Sequence, residues 1–487
     1  MAEFKELLDM TGSIWLPEDV VISTCGIPKD AVMTTRYNQV FYTLPSYAAT
    51  ERYIAKRLVS KLYEKRVFIS DETILALLHE WEALKNCTLS DEQASAVVSA
   101  VQNPISVITG GPGTGKTRFI EAVTYVYKRL GKTRILLCAP TGKAARRMEE
   151  SIHMLAQTAQ KAMKLSPYSK KLKRLIADLL VIDETSMLDM ETMSFLMQAV
   201  SEGTNLLFTG DIKQLPSVGA GAILRDMIES GIIPTTYFTK IYRQKEDDTV
   251  FGNIQKILYG QEDLTYDEKF EFKNCADSTP DIIVNEYIRA AKEYGIENIC
   301  CLSPYKRKGY CCSNSLNNKI QAKLNPKGAR PFWCGTVTEI GETDAKTVYI
   351  QVGDPVMHLL NEDVSNGDIG IVISADKDSV VVDYSGYKKS YRRKEMGHLT
   401  HAYSISIHKS QGSEYKKCLV VSTRNQLDML NRNMLYTAVS RAKEKIVVLG
   451  DMATFKCALQ DETCYDRTTF LAEEIQVFAK AHALQVS

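Results

Sequence analysis

Residues 105–117 read Ile-Ser-Val-Ile-Thr-Gly-Gly-Pro-Gly-Thr-Gly-Lys-Thr. The apolar run Ile105–Ile108 has the length and composition of a buried parallel strand, and the glycines that follow it open a helix at Lys116. From Gly110 the stretch satisfies G-x-x-x-x-G-K-[ST] in the strand–loop–helix context that the pattern requires. Glycines let successive N–H groups turn inward as a nest for phosphate oxygens, at the positive end of the following helix. Gly111, Pro112, Gly113, Thr114, Gly115, Lys116 and Thr117 are therefore the candidate nucleotide-binding residues. Lys116 would neutralise the β- and γ-phosphates of ATP, and Thr117 would ligate Mg²⁺.

Two further stretches extend the site. Leu179-Leu180-Val181-Ile182-Asp183-Glu184 is an apolar strand that ends in two carboxylates. Adjacent residues at a strand end point to opposite sides. Asp183 can thus hold Mg²⁺ while Glu184 orients or deprotonates the attacking water. Phe208-Thr209-Gly210-Asp211-Ile212-Lys213-Gln214 runs from a strand into a loop, and places the neutral amide of Gln214 where it could report hydrolysis. With Ile135–Cys138 and Asn205–Phe208, these runs make an α/β core of parallel strands. A second series appears at Ile299–Leu302, Cys418–Ser422 and Ile446–Leu449.

The chain has 487 residues, long enough for several cores, and 60 Lys+Arg balance 59 Asp+Glu. Near-neutrality excludes strong global steering toward polyanions but not a local basic groove. No apolar run reaches the length of a membrane helix, and the first residues lack the pattern of a secretory signal. The twelve cysteines are scattered, which fits reduced thiols in the cytoplasm, or a host cytoplasm for a viral or phage protein. Cys300-Cys301 and Cys311-Cys312 lack the spacing of a zinc site and read as a buried strand and a turn.

The ordered motifs from Phe41 to Asp451 resemble superfamily 1 DNA helicases of the RecD-like group. Phe41-Tyr42-Thr43-Leu44-Pro45 looks like the end of the leading domain of long-form RecD proteins. Leu89-Ser90-Asp91-Glu92-Gln93 is similar to the glutamine motif, which makes Gln93 the adenine-reading residue. Ala139-Pro140-Thr141-Gly142-Lys143 is similar to motif Ia, so that Pro140, Thr141 and Lys143 would touch single-stranded DNA. Asp183–Met187 and Gly210–Gly219 resemble motifs II and III, so that Asp183, Glu184 and Gln214 join Lys116 of the P-loop in the catalytic set. Tyr242-Arg243-Gln244 and Leu435–Ala442 match motifs whose arginines, Arg243 and Arg441, would act on the γ-phosphate as two motor domains close on ATP. His408–Glu414 matches the motif that would add Gly412 and Glu414 to the nucleotide contacts. Ser303–Arg307 resembles the segment that opens the second motor domain, and its Lys306 and Arg307, with His408 and Lys409, would line the DNA track at strand ends.

The resemblance implies two tandem RecA-like P-loop domains. Its layout is a mostly helical leading domain (1–88), a first motor domain (89–235) and a second motor domain (236–334 and 400–455). A small β-barrel insert (335–399) and a helical tail (456–487) complete it. It further implies an ATP- and Mg²⁺-dependent helicase moving 5′→3′ on single-stranded DNA and acting at duplex junctions. Single-strand-binding, nuclease or replication proteins would be its partners. An RNA helicase, or a remodelling subunit that does not unwind, stays open as an alternative. Thr158-Ala159-Gln160-Lys161 stands where the family has Thr-Ile-His-Arg, and Leu165–Lys173 leaves room only for a reduced strand-splitting hairpin. No nuclease domain is evident.

Overall fold

Alternate side chains of the strand Leu179–Ile182 enter different cores in the computed structural model, which describes residues 1–165, 172–240, 242, 248–340, 344–463 and 467–486. Leu180 and Ile182 join one cluster, Leu179 and Val181 the other. Ile105 and Val107 against Ile108, and Leu206 and Phe208 against Leu207, repeat the alternation. This period of two is what a parallel strand covered by helices on both faces requires. The residues divide into two compact units, Met1–Pro140 with Ala144–Gln244 and Tyr465–Ser487, and Thr141–Lys143 with Lys245–Cys464.

The first unit is built on a six-stranded parallel sheet. Its strands lie in the order Ala156–Thr158, Ile135–Ala139, Leu179–Ile182, Asn205–Gly210, Ile105–Gly110, Thr235–Phe238. The P-loop strand thus has later strands on both sides, and its carboxyl end lies where open α/β sheets collect ligands. One face is covered by the helices Asp71–Lys85, Asp91–Gln102 and Lys116–Arg129, which bring Trp81, Val97 and Phe119 into one core.

The other face carries Pro45–Leu62, Met190–Ala199 and the closing helix Leu471–Val486. Ile14, Trp15 and Phe41 of the leading segment share that core with Phe470 and Ile475, while Phe4, Leu8 and Val21 close a smaller core nearby. The leading segment is less purely helical than its sequence suggests. Leu16–Pro17, Gln39–Thr43 and Val32–Arg36 form a three-stranded antiparallel sheet, turned at Tyr37 and Asn38 with φ of 52° and 61°. Two consecutive left-handed residues closing a two-residue loop are the geometry of a type I′ hairpin.

A buried carboxyl ties the leading segment to the closing one. Glu51 accepts from Trp15 Nε1 (2.8 Å) and from the Phe470 amide (2.9 Å), and burial pushes its pKa up to about 8. Raised above its unfolded value of 4.5, this carboxyl keeps a proton that the unfolded chain has released. Its contribution is therefore full below about pH 4.5 and is lost as pH rises toward about 8, at up to about 1.4 kcal/mol per pH unit. Glu51→Gln is expected to flatten that slope in denaturation midpoints measured from pH 5 to 8, and equal slopes in the two proteins would refute this.

The second unit has its own parallel sheet, in the order Phe270–Asn274, Ala442–Gly450, Tyr415–Ser422, Ile299–Ser303, Ser404–Ser406. Cys300 and Cys301 lie within the strand Ile299–Ser303 and are buried. Between Ile299–Ser303 and Ser404–Ser406 the chain leaves for the β-rich insert. There Phe332–Thr338 pairs with Ala345–Gln351, and a five-stranded antiparallel sheet follows in the order Tyr387–Arg392, Ser379–Tyr384, Ile369–Ala375, Pro355–His358, Leu399–His401. Trp333 and Ile350 of the ribbon share one core with Val356, Val380 and Tyr391 of the sheet. The insert is β-rich as its sequence suggests, with ladders that run as an open sheet plus a separate ribbon. Among the described residues no helix is long and apolar enough to cross a membrane.

Candidate nucleotide site and the helicase motifs

The P-loop runs from the strand Ile105–Gly110 into the helix Lys116–Arg129 through Gly113 and Gly115, with φ of 80° and 86°. Gly115 is the N-cap, and a Cβ there would lie 2.5 Å from Gln93 Nε2, so the position needs glycine for conformation and for space. Lys116 Nζ lies against the loop itself, donating to the carbonyls of Gly110 (2.6 Å) and Gly111 (3.0 Å). Thr114 Oγ1 donates to the Gly111 carbonyl (2.9 Å), and Thr117 is exposed in the first helical turn.

The helix Asp91–Gln102 organises this loop through its N-terminus. Ser90 and Gln93 form a capping box: Gln93 N donates to Ser90 Oγ (3.3 Å) and Ser90 N to Gln93 Oε1 (3.1 Å). The other end of the same amide, Nε2, donates to the Thr114 carbonyl (3.0 Å). Gln93 is 2% exposed, so both ends of its amide are spent inside the protein, on the cap and on the loop. Next to it, Glu92 accepts from the Thr239 amide (3.1 Å) and hydroxyl (2.5 Å), bonds that hold its pKa down. Three residues on, Tyr242 N donates to the Gly113 carbonyl (2.9 Å). The helix start, the P-loop and the segment leading to Arg243 are thereby joined, although Arg243 and Gln244 lie outside the described residues.

Parallel pairing of Leu179–Ile182 with Asn205–Gly210 sets the acidic end beside motif III. Asp183 Oδ1 accepts from Thr209 Oγ1 (2.5 Å), which fixes its orientation. Glu184 follows with φ 51°, left-handed and costly for a residue with a Cβ. Asp211 is buried; its Oδ1 accepts from the Lys213 amide (2.9 Å) and its Oδ2 from Gln214 Nε2 (3.3 Å). Gln214 is buried too, and its Oε1 has no hydrogen-bond partner. A buried amide oxygen left open in a group already bonded to the Asp211 carboxylate is a costly arrangement for a purely structural loop. It suits a group that must receive a hydrogen bond from a bound water or ligand.

In the second unit, Arg441 is buried within its own surroundings. Its Nε donates to the Thr437 carbonyl (3.0 Å), one terminal nitrogen to Ser440 Oγ (2.8 Å) and the other to the Ser413 carbonyl (3.5 Å). Tyr415 N donates to the Arg441 carbonyl (2.8 Å), which brings together the two motifs that were separate in the sequence. Between them Gly412 has φ 73°, and Glu414 pairs with Lys443 at 3.0 Å. Lys409, in the turn His408–Ser410, donates to Asn366 Oδ1 (3.0 Å), and Lys306 pairs with the buried Glu339 at 3.3 Å. Arg307 follows in the loop after Ile299–Ser303. Pro140 ends the strand Ile135–Ala139 in the first unit. Thr141 and Lys143 group with the second unit, where Lys143 Nζ donates to Ser413 Oγ (3.1 Å).

Residues 88–268 match the AAA domain family, and residues 401–449 match the UvrD-like helicase C-terminal domain. The ATP-dependent RecD2 DNA helicase of Deinococcus radiodurans is 31% identical over 396 residues, covering 80% of this chain and 52% of that protein. The RecBCD enzyme subunit RecD of Mycobacterium tuberculosis is 27% identical over 419 residues, covering 76% and 70%. Over most of its length this chain is similar to RecD-type helicases. It spans about half the length of its Deinococcus relative. A crystal structure of a Bacteroides Pif1 helicase with ADP-AlF3 and single-stranded DNA aligns with 81% of this chain and 98% of its own, at 19% identity and a TM-score of 0.50. That likeness shows the fold: two RecA-like domains in tandem.

Several buried polar residues of the second unit serve the scaffold. Asn317 brackets Ser404, donating to its carbonyl (2.9 Å) and accepting from its amide (2.7 Å). Gln321 donates to Asp354 Oδ2 (2.5 Å), and Asp354 also accepts from Tyr403 and Asn325. This network fastens the insert to the motor sheet through Asp354, which has no accessible surface. Two organising residues, Glu92 and Thr209, lie inside recognised motifs whose sequence gives them no role of their own. Ser-x-x-Gln at Ser90–Gln93 did carry a capping-box signal, whereas nothing local marks Thr209 as the partner of Asp183. The strand-splitting hairpin expected at Leu165–Lys173 falls largely outside the described residues, which omit 166–171.

Proposed function

We propose that the chain is an ATP- and Mg²⁺-dependent DNA helicase that translocates 5′→3′ along single-stranded DNA and opens duplexes at junctions. One observation carries the reading. The P-loop, Asp183–Glu184 and Gln214 follow the carboxyl ends of neighbouring strands of one parallel sheet, with Gln214 Oε1 buried and open to a partner.

The residues present fit a nucleotide and its metal. The P-loop amides and Lys116 would hold the phosphates. Thr117 and Asp183 would hold Mg²⁺, which offsets charge between the β- and γ-phosphates. Glu184 would orient and deprotonate the attacking water, and Gln214 would accept a hydrogen bond from it. Gln93 would act chiefly by holding the P-loop, with the adenine approaching its helix start. Arg243 and Arg441 would offset charge on the transferring phosphoryl group. Gly412 and Glu414 would complete the nucleotide contacts. Pro140, Thr141, Lys143, Lys306, Arg307, His408 and Lys409 would track the DNA backbone, a contact whose strength falls with salt.

Nuclease, replication or single-strand-binding proteins are the proposed partners, since the Mycobacterium relative is a RecBCD subunit. The free cysteines among the described residues support a reducing compartment, the cytoplasm. Partial duplexes with a single 5′ or a single 3′ tail test the function. Unwinding is expected only from the 5′ tail and only with ATP and Mg²⁺. Stimulation of ATPase by RNA in place of DNA would favour an RNA helicase, and ATPase without strand separation a remodelling subunit.

A further inference from the structure

Described again from Arg467, the chain lies in the first unit, and this segment grips motif III. One terminal nitrogen of Arg467 donates to Ser217 Oγ (3.2 Å) and to the carbonyls of Gly219 (3.0 Å) and Gly221 (2.9 Å). The other donates to the Ser217 carbonyl (2.6 Å). Four acceptors of one five-residue loop thus converge on a single guanidinium, a fork that lysine cannot reproduce.

The grip is returned. Arg225, on the helix Ile223–Glu229 that follows the loop, donates to the Arg467 carbonyl (3.1 Å) and to Thr469 Oγ1 (2.6 Å). The leading segment completes the clasp. Gly221 N donates to the Gly12 carbonyl (2.9 Å), and Ile14 N to the Thr468 carbonyl (2.9 Å). Gly12 has φ 68°, and a Cβ there would come within 2.5 Å of the Arg467 guanidinium carbon, so this glycine leaves room for the arginine. The loop in turn rests on the helix after motif II, where Met190 N donates to the Ala220 carbonyl (2.9 Å).

Gln214 lies three residues before Ser217, joined through Leu215 and Pro216. We infer that Arg467 is a positioning residue for hydrolysis: it holds the Ser217–Gly221 loop and through it the amide of Gln214. Because Arg467 stands where the chain returns from the second unit, the clasp also gives that return segment a direct hold on motif III. The inference rests on the ATPase reading for its effect on rate, but not for its effect on the loop.

Hydrogen exchange in the nucleotide-free protein reads the loop by itself. Arg467→Ala is expected to speed exchange of the Gly221 and Met190 amides by about tenfold or more, with Arg467→Lys in between. DNA-stimulated kcat is expected to fall by roughly tenfold in Arg467→Ala, with the KM for ATP within about threefold. In a Gln214→Ala background the same substitution should cost little more, because the two act as one unit. Unchanged exchange at both amides in both variants overturns the inference, and so does a full additive loss in the double variant. Faster exchange in a protein whose wild type hydrolyses no ATP upholds the clasp and removes the ATPase reading instead.

Discussion

Glu184→Gln is expected to leave nucleotide binding within about threefold of wild type and to lower DNA-stimulated ATP hydrolysis by on the order of 10²–10⁴. Its backbone and its neighbours both point to this. Glu184 has φ 51°, a conformation that costs a residue with a Cβ, and it lies two residues past the end of a fully buried strand. Thr185 Oγ1 donates to the Ile182 carbonyl (2.9 Å), so the sharp bend is braced on its far side. A Cβ at Gly210 would meet Leu224 Cδ2 at 2.8 Å and lie 3.2 Å from the Thr185 amide, so motif III is pressed against the same bend. Strain held this firmly next to an oriented aspartate is the signature of a group placed for chemistry. Glutamine keeps the size and the backbone preference and removes only the base, so thermal stability should stay near wild type. ATPase rates with and without single-stranded DNA, and equilibrium binding of a nucleotide analogue, check both halves. Turnover near wild type would remove Glu184 from the proton transfer.

How much of this could be read from the chain follows from where each signal lies. The strand Leu179–Ile182 has the bounds its sequence suggests, because four apolar residues bounded by Asp178 and Asp183 leave a buried strand little freedom. The P-loop needs no partner to be recognised, since its glycines answer a local backbone demand. The hairpin at Tyr37–Asn38 was missed because its turn carries no glycine, the usual mark of φ above zero. Arg467 was out of reach for another reason. Its acceptors are mostly backbone carbonyls some 250 residues away, and a carbonyl leaves no trace in side-chain identity. Gln93 shows a third kind of limit. Its motif was legible, but its amide is divided between a helix cap and the Thr114 carbonyl, a use that only the geometry reveals.

Arg441→Ala is expected to cost DNA-stimulated turnover on the order of 10³ or more, the usual worth of an arginine that stabilises a transferring phosphoryl group, while ATP binding persists. The structure supplies a rival role that the experiment must separate. Arg441 is 3% exposed and ties the end of the helix Arg432–Val439 to the Ser413 carbonyl, so it is also a latch between two motifs. Removing a buried guanidinium leaves its acceptors unpaired, at about 1–3 kcal/mol for each group that water cannot reach. A latch and a catalytic cation predict different splits. Loss of a latch lowers the unfolding midpoint of the second unit and leaves kcat per folded molecule nearly intact. Loss of the catalytic cation lowers kcat in molecules that are fully folded. Arg441→Lys sharpens the contrast, because a lysine keeps the charge but cannot span Thr437, Ser440 and Ser413 at once. Turnover of Arg441→Lys close to wild type, with a lowered midpoint, would make Arg441 a structural latch. A loss as large as that of Arg441→Ala, at an unchanged midpoint, would make the guanidinium itself the catalytic element.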